Sequence, residues 1–263
     1  MPAPSALMNV MTDAARKGAR VLARDFGELE NLQVSVKGVG DFVTASDIKV
    51  EEILRDELMR ARPAYGWLGE ETGEVEGKDP TRRWIVDPID GTTNFMHGMP
   101  HFAISIALEH KNELVAGLIY DIAKDEIFTA EKGGGAWLND RRRLRVSSRR
   151  DLIESVFATG VPFGSKSTLP TMLQELARLM PASAGVRRFG SAALDLAWVA
   201  AGRFDGFWER EIMPWDMAAG IVIAREAGAL VEDLDGGTDM LARGEVIAAP
   251  AELLGKLKKA LAG

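Results

Sequence analysis

The sequence predicts a mixed fold, α+β in its first half, about 1–150, and α/β in its second half, about 151–263. In the first half, three apolar segments follow one another with only short polar turns between them, which is typical of antiparallel hairpins. In the second half, apolar strand and helix segments alternate, which is typical of α/β chains. No linker long enough to separate the halves is present, so we expect one domain over 1–263.

The helices and strands of the first half follow from apolar periodicity and from turn residues. Apolar residues three and four positions apart predict helices over 5–26 and 46–61, with Ser5 and Ser46 as caps. The run of antiparallel strands suggests a sheet with one helical layer over it. Strands are predicted near 34–36, 64–68, 84–86, 102–109, 114–121 and 126–130, a surface loop over 72–83 and a turn over 87–93.

The second half is predicted from the same patterns. The segment 191–201 is rich in alanine, the residue with the highest helix propensity. Strands are expected at 155–159, 204–208 and 246–248, and helices at 168–180, 191–201, 214–227 and 250–261.

Composition narrows the class of protein. The chain of 263 residues has 46% hydrophobic and 27% charged residues, the balance of an ordinary globular protein. Its formal net charge of −7 argues against general binding to nucleic acid or to an anionic membrane. We find neither a secretory signal pattern nor an apolar segment long enough to cross a bilayer.

The chain contains no cysteine and only three histidines. The lack of cysteine excludes disulfides, thiolate metal sites and a cysteine nucleophile. It also favours a reducing compartment, so we expect a cytoplasmic protein. Because histidine is scarce, we expect any metal ion to be held by oxygen ligands.

Acidic residues cluster where predicted strands end and where a predicted helix begins. Glu70 and Glu71 follow one strand, Asp87 and Asp90 follow the next, and Asp216 opens a late helix. A single acidic pair in such a place is usually solvated or caps a helix, but these are positions where α/β proteins bind ligands. Carboxylates brought together repel one another unless they are protonated or neutralised by a cation. A hard cation, most simply Mg²⁺, is therefore predicted.

The segment 87–93 has the features of a phosphate-ester site. Pro88 fixes its own φ and makes the turn rigid, so Asp87 and Asp90 can face one point with the Ile89 carbonyl between them. Gly91 lets the backbone approach a ligand closely. The backbone N–H groups at 91–93 can form a nest for an anion, beside the carboxylates that would hold a cation.

Three segments closely resemble the signature stretches of the inositol monophosphatase family. The resemblance extends over essentially the whole chain and is to bacterial members. The three segments are Gly69-Glu70-Glu71, the stretch 84–95 with Asp87-Pro88-Ile89-Asp90-Gly91-Thr92, and Trp215-Asp216-Met217-Ala218-Ala219-Gly220. Two further stretches resemble the family's upstream loop and its substrate-side helix start, namely Lys37 with Asp41, Val43, Thr44 and Asp47, and the segment 187–194.

This resemblance implies a layered α-β-α-β-α sandwich of the inositol monophosphatase and sugar phosphatase type. It also implies hydrolysis of a small phosphomonoester, typically inositol 1-phosphate, by direct attack of a metal-activated water. The family's members are usually homodimers that Li⁺ inhibits, so the same is expected of this chain.

The resemblance further implies which residues hold two or three Mg²⁺ ions. The first ion is expected on Glu70, Asp87 and the Ile89 carbonyl, and the second on Asp87, Asp90 and Asp216. A weaker third ion would use Glu70 again. Two ions bridged by one carboxylate can clamp the attacking and leaving oxygens of an in-line displacement.

The resemblance also assigns catalytic and substrate-binding roles. Thr92, oriented by Asp47, is expected to position the attacking water, with Glu70 and Glu71 as further acidic groups near it. Arg187 is expected either to reach the substrate or to make a surface or subunit contact. The full set expected to contact substrate is Ile89, Asp90, Gly91, Thr92, Arg187, Gly190, Ser191, Ala192, Glu209 and Asp216.

Several alternatives remain open. The same motifs serve phosphatases of fructose 1,6-bisphosphate, 3′-phosphoadenosine nucleotides, NADP or histidinol phosphate, so they do not select a substrate. Six arginines within 141–150 are typical of a solvated surface, and they also suit contact with RNA or an acidic protein. Covalent aspartyl catalysis is disfavoured because the spacing of Asp87 and Asp90 is one residue too long for that motif, and no nucleotide-binding P-loop is present.

Overall fold

The computed structural model describes residues 4–28, 34–38, 41–161 and 168–263, with the side chains at 36–38 and 41–42 left out. The features noted at Lys37 and Asp41 therefore lie outside the described residues. Among the residues described, no helix is both long and apolar enough to cross a membrane.

The described part of the chain contains eight α-helices. The predicted helices at 5–26, 46–61, 168–180, 191–201, 214–227 and 250–261 are all present, shifted by one or two residues at their ends. In chain order the helices are α1 (Ala6–Phe26), α2 (Ala45–Ala61), α3 (Thr92–Met96), α4 (Leu169–Leu179), α5 (Ala192–Ala200), α6 (Pro214–Glu226), α7 (Met240–Arg243) and α8 (Ala251–Ala262).

A hairpin and an eight-stranded sheet occupy the first half. All neighbours in this sheet are antiparallel except one pair next to an edge strand, in which the two strands run parallel. The hairpin pairs β1 (Val34–Gly38) with β2 (Asp41–Thr44). The sheet contains β3 (Tyr65–Gly69), β4 (Gly73–Val75), β5 (Asp79–Asp90), β6 (Ala103–His110), β7 (Glu113–Asp121), β8 (Glu126–Glu131), β9 (Gly135–Leu138) and β10 (Arg142–Arg143), in the order β10-β9-β8-β7-β6-β5-β3-β4.

A five-stranded sheet occupies the second half. Its strands are β11 (Val156–Thr159), β12 (Gly185–Arg187), β13 (Gly206–Arg210), β14 (Ala229–Glu232) and β15 (Glu245–Pro250), in the order β12-β11-β13-β15-β14. β11 runs parallel to both of its neighbours, and the other pairs are antiparallel. That the two halves form a single domain stays a prediction.

The two sheets and the helices stack in five layers. Alternate residues of β5 and β6 point to opposite faces, so Val86 and Ile104 pack against α1 and α2 while Ile85 and Ala103 pack against α5 and α6. The other side of α5 and α6 packs on the second sheet, whose far face is covered by α4 and α8. This order is the α-β-α-β-α sandwich that the family resemblance implies.

Three sequence predictions about the first half are wrong. The sheet carries helices on both faces and not on one. Burial of β6 along both of its faces shows this arrangement. The predicted loop over 72–83 contains β4 and the start of β5, whose polar residues reflect their place near the sheet edge. The predicted turn over 87–93 is the last part of β5 followed by α3.

Close contact between a helix and the first sheet fixes the position of α6. A Cβ atom on Gly117 of β7 would lie 2.5 Å from the backbone oxygen of Ala219, so only glycine lets the helix approach this closely. At the start of α6, the Ser105 hydroxyl of β6 donates a hydrogen bond to the Trp215 carbonyl over 3.1 Å. The first turn of α6 is thereby held against the end of the sheet.

Candidate functional site

Three carboxylates from two distant parts of the chain meet at one end of the first sheet. Asp87 and Asp90 lie at the end of β5, and Asp216 lies in the first turn of α6. One carboxylate oxygen of each lies within 4.8 Å of the others. Asp87 and Asp90 are buried, and Asp216 is partly buried. We call these three residues the acidic cluster.

The end of β5 is irregular, and that irregularity brings Asp87 and Asp90 together. The pairing of β5 with β6 shifts register between these two residues. On the other side of β5, β3 ends at Gly69, so the missing N–H of Pro88 breaks no ladder hydrogen bond. The Ile89 N–H donates to Asp87 Oδ1 over 2.8 Å and closes a tight local loop.

Gly91 makes the turn from β5 into α3. Its φ of +99° lies in the left-handed region, and a Cβ there would lie 3.1 Å from the His101 carbonyl oxygen and 3.2 Å from that of Gly190. A side chain is therefore excluded by both strain and space. The amide of Asn94, in α3, donates to the same two carbonyls over 2.8 Å and 3.4 Å. This joint ties the signature turn to the segment that leads into α5.

The N-terminus of α5 holds Asp90. Ser191, the N-cap of α5, donates its hydroxyl to Asp90 Oδ2, and the Ala193 N–H donates to the same oxygen over 2.8 Å. Burial raises the pKa of Asp90 to about 6, while these donors act in the opposite direction. The helix therefore favours an anion at the cluster.

Mutual repulsion raises the pKa values of the other two members. Burial raises the pKa of Asp87 well above its ordinary value, and the charges of Glu70, Asp90 and Asp216 raise it further. Burial and the charge of Asp90 likewise raise the pKa of Asp216, which accepts a hydrogen bond from the Met213 N–H over 2.8 Å. Without a partner of opposite charge, the ionised cluster is electrostatically unfavourable.

The chemistry of the donors fits a divalent metal ion. All members are carboxylates, and the Ile89 carbonyl lies in the turn between Asp87 and Asp90. Glu70 is linked to Asp87 by a hydrogen bond and raises the pKa of both Asp87 and Asp216, which places its carboxylate beside the cluster. Hard oxygen ligands of this kind suit Mg²⁺ better than a soft transition metal.

Thr92 and Asp47 lie beside the acidic cluster, on α3 and α2. The Thr92 hydroxyl lies 3.1 Å from Asp47 Oδ1 and 3.0 Å from the Ile89 carbonyl oxygen. Asp47 forms a capping box with Thr44, whose N–H donates to Asp47 Oδ2 over 2.8 Å. Burial raises the pKa of Asp47 to about 6, with a smaller contribution from the charge of Glu71.

Glu209 of β13 adds a further buried carboxylate on the α5 side. A Cβ on Gly160 would overlap the Glu209 carboxylate, so the glycine provides the space that this side chain occupies. Burial raises the pKa of Glu209 well above its ordinary value, and the charges of Asp216 and Asp90 raise it further, while Arg188 lowers it. These charge interactions place Glu209 near the acidic cluster.

The remaining predicted substrate residues differ in position. Gly190, with φ of +81°, and Ser191 lead into α5. The Ala192 N–H in the first turn of α5 also donates to the Asp90 carboxylate. Arg187 is exposed on β12, and its guanidinium donates to the Val186 carbonyl over 3.1 Å. The structure does not bring Arg187 to the cluster, and its contact with substrate or a subunit stays a prediction.

One acid on the α5 side was not predicted from the sequence. Asp195 is buried, and its Oδ1 has no hydrogen-bond partner within the part of the chain that the structure describes. Burial and the charges of Glu209 and Asp90 raise its pKa well above the ordinary value. The available signal was a single acid inside an otherwise apolar, alanine-rich helix.

Comparisons with known proteins show which family the chain is similar to. A model of the inositol monophosphatase family matches residues 4–262. An inositol-1-monophosphatase of Mesorhizobium japonicum is 55% identical over 259 residues, which are 98% of this chain and 97% of that protein. The Nus factor SuhB of Escherichia coli is 43% identical over 242 residues, 92% and 90% of the two chains. The crystal structure of the extragenic suppressor protein suhB from Bartonella henselae has a TM-score of 0.94 at 54% identity and covers 98% of each chain.

Proposed function

Because the chain belongs to the inositol monophosphatase family, we propose that it is a Mg²⁺-dependent phosphomonoesterase that hydrolyses inositol 1-phosphate. One observation carries the proposal. Carboxylate oxygens of the buried Asp87 and Asp90 and of the partly buried Asp216 lie within 4.8 Å of one another, next to the N-terminus of α5. Anionic ligands for a cation beside backbone donors for an anion are what a phosphate ester with its metal requires.

The acidic cluster would hold two or three Mg²⁺ ions together with Glu70 and the Ile89 carbonyl. When bound, Mg²⁺ supplies charge neutralisation of the phosphoryl oxygens and lowers the pKa of water. The carboxylates would also set where the phosphoryl group lies, since they face one point from β5 and α6, which pack against each other.

Thr92 and Asp47 would orient the attacking water. The Thr92 hydroxyl can donate to Asp47 Oδ1, 3.1 Å away, which leaves its lone pairs free to accept a hydrogen bond from a water beside it. That arrangement turns a lone pair of the water towards phosphorus. Glu71, whose charge acts on Asp47, would assist as a further acidic group near the water.

The substrate would be held by backbone donors and by carboxylates. The N–H groups of Gly91 and Thr92 would bind the phosphate, and the N-terminus of α5, whose Ala193 N–H holds Asp90, would favour that anion through its helix dipole. The hydroxyls of the alcohol would donate hydrogen bonds to the carboxylates of Asp90, Asp216 and Glu209. The Ala192 backbone would make a further hydrogen bond to these hydroxyls. Carboxylates suit a cyclitol or sugar because each hydroxyl is a donor.

Phosphate release tests the proposed reaction directly. We expect release from inositol 1-phosphate with Mg²⁺, and none after complete removal of metal by EDTA. Fructose 1,6-bisphosphate, a 3′-phosphoadenosine nucleotide, NADP and histidinol phosphate should give lower kcat/KM values in the same assay. Activity that survives EDTA would contradict the metal-dependent mechanism, and a higher kcat/KM for another compound would replace the substrate and keep the chemistry. Relatives named inositol-1-monophosphatase support the order proposed here.

A second role, contact with RNA or an acidic protein, is supported by the segment 141–150. Its six arginines are all exposed. Arg149 pairs with Asp205 over 3.2 Å and Arg143 lies over the Trp137 ring. Within the described residues, Arg141, Arg145 and Arg150 have no acidic partner. Some relatives are named as a factor and not as an enzyme, which agrees with an added role.

Replacing Arg141, Arg145 and Arg150 by Gln separates the two roles. We expect phosphate release to stay within about twofold of wild type, because none of the three lies in the proposed site. Binding of a single-stranded RNA, measured by fluorescence anisotropy at several salt concentrations, should weaken and lose about 0.7 of salt slope per lost phosphate contact. RNA binding that is unchanged, or absent from wild type, would leave an acidic protein as the partner to test by the same variant.

Three further properties are proposed, the first two from the family resemblance and the third from the lack of cysteine. They are assembly as a homodimer, inhibition by Li⁺ and a cytoplasmic location. Size-exclusion chromatography with light scattering and phosphate release in LiCl test the first two.

A further inference from the structure

Glu51 is a fully buried carboxylate that the proposed mechanism does not use. It lies in α2, one turn after Asp47, and its partners all belong to the chain that leaves β3. Glu51 Oε2 accepts a hydrogen bond from the Glu71 N–H over 2.8 Å, and Oε1 accepts from the N–H and the hydroxyl of Thr72 over 2.8 Å and 2.5 Å. A buried carboxylate thus receives three donors from two consecutive residues.

The contact between Glu51 and the end of β3 has no slack. A Cβ on Gly69 would lie 2.5 Å from Glu51 Oε1 and 2.5 Å from the indole nitrogen of Trp67. The same indole N–H donates to the Thr72 hydroxyl over 3.0 Å. Because glycine is the only residue that fits here, the helix and the strand end are held at a fixed distance.

Glu51 holds the two residues that follow the last ladder hydrogen bond of β3. The Glu70 N–H still donates to the Val86 carbonyl over 3.2 Å, so the ladder between β3 and β5 sets the backbone as far as Glu70. Glu71 and Thr72 form the turn between β3 and β4, which rejoins the sheet at Gly73, and their N–H groups donate to Glu51. The direction in which Glu70 and Glu71 present their side chains then depends on the backbone that Glu51 holds.

One face of α2 holds both sides of the site. Residues four apart on a helix share a face, and Asp47 and Glu51 are spaced in this way. Asp47 accepts from Thr92, next to the signature turn, and Glu51 accepts from Glu71 and Thr72. The helix α2 therefore contacts both the turn that follows Glu70 and Thr92, which follows Asp90, in addition to the ladder that joins β3 to β5.

We propose that Glu51 is a positioning residue that sets the affinity of the site for divalent cations by holding Glu70 and Glu71 against the acidic cluster. This inference rests on the proposed function, because it assumes that the cluster with Glu70 binds a metal. Groups that orient metal ligands from behind typically change metal affinity by about 10- to 100-fold when they are replaced. An amide at position 51 would turn an N–H donor towards a backbone donor, so one anchor of the loop would be lost.

The test is direct binding of Mn²⁺ to the full-length protein, followed by the electron paramagnetic resonance signal of free Mn²⁺. We expect Glu51→Gln to weaken Mn²⁺ binding about tenfold. In phosphate release, the Mg²⁺ concentration for half-maximal activity should rise by a similar factor, with kcat at saturating Mg²⁺ within about threefold of wild type. Glu52→Gln is the matched control, since Glu52 is exposed on the same helix and pairs with Lys49 over 3.3 Å; it should bind Mn²⁺ as wild type does.

The outcomes separate positioning from simple stabilisation. If Glu51→Gln lowers the unfolding temperature in EDTA but binds Mn²⁺ with wild-type affinity, the proposal is overturned. If Glu51→Gln does not fold, Thr72→Val removes one of the three donors and should weaken Mn²⁺ binding about threefold, and an unchanged affinity overturns the proposal in the same way. Because Mn²⁺ is measured without substrate, a loss of affinity supports the role of Glu51 even if inositol 1-phosphate is not the substrate.

Discussion

Replacing Asp90 by asparagine should lower kcat/KM for phosphate release by about 10³-fold, with the fold retained. Asp90 is the member of the acidic cluster that α5 holds through Ser191 and the Ala193 N–H. Asparagine keeps the size and one acceptor oxygen, but it removes the negative charge that a divalent cation needs. Phosphate release at saturating Mg²⁺ and circular dichroism measure the two parts of this result.

The control for Asp90→Asn is the same change at an exposed acid. Asp13 lies on the outer side of α1, away from the cluster, so Asp13→Asn should turn over substrate as wild type does. A kcat/KM within tenfold of wild type for Asp90→Asn would show that this carboxylate holds no metal. Loss of circular dichroism signal would instead assign its role to folding.

The same substitution lowers activity, but it should raise the stability of the protein when metal is removed. Asp90 has a pKa of about 6 in the folded protein against an ordinary 3.8, so the folded state binds more protons than the unfolded state between these values. The stability from Asp90 is therefore present below pH 4 and is lost as the pH rises through 6. His101 acts the other way, since burial lowers its pKa to about 4, but it is common to both proteins.

Thermal unfolding in EDTA at pH 4 to 8 measures this effect. The advantage of Asp90→Asn over wild type should grow as the pH rises from 4 through 6, and it should grow further above pH 6, where Asp87 and Asp216 ionise beside Asp90 in wild type. Mg²⁺ should then raise the unfolding temperature of wild type more than that of the variant. Parallel curves for the two proteins would mean that Asp90 ionises in the folded state as it does in the unfolded chain.

Replacing Thr92 by valine should lower kcat about 100-fold and leave KM nearly unchanged. Valine has the shape of threonine but no hydroxyl, so the group that would orient the attacking water is lost while the phosphate-binding N–H remains. Asp47 keeps its hydrogen bond from the Thr44 N–H, so α2 should stay in place. Steady-state kinetics at saturating Mg²⁺ give kcat and KM separately.

Thr92→Ser is the matched control because it restores the hydroxyl. Its kcat should return to within about fivefold of wild type. A valine variant that raises KM with kcat unchanged would place Thr92 in ground-state binding of the phosphate. Equal losses in the serine and valine variants would point to packing of the methyl group.

Much of the fold could be predicted because its long elements carry strong local signals. The helix α2 has an apolar stripe, although its N-cap is Thr44 and not the predicted Ser46, and the hairpins between β6, β7 and β8 are marked by polar turns. Short strands such as β12 and β14 were missed because three or four residues cannot show a period. The order of the five layers depends on contacts between distant elements, and only the family resemblance supplied it.

The acidic cluster could be predicted in part because each of its members stands at the end or start of an element. What holds those members in place could not. Glu51 looks like any acid on an amphipathic helix, and only the fold shows that it is buried against Glu71 and Thr72. Asp195 was missed for a related reason, since a burial that depends on both sheets leaves no trace in local periodicity.

The derivation of the acidic cluster from β5 and α6 has a consequence for biosynthesis. A nascent chain carries Asp87 and Asp90 long before the ribosome has added Asp216, and the three meet only after α6 has docked on β7 at Gly117. An ion bound to all three carboxylates would therefore stabilise only the completed fold, whereas the ion proposed on Glu70, Asp87 and the Ile89 carbonyl needs no residue of α6. In the cell, Mg²⁺ bound at the completed acidic cluster would stabilise the folded protein by slowing its unfolding.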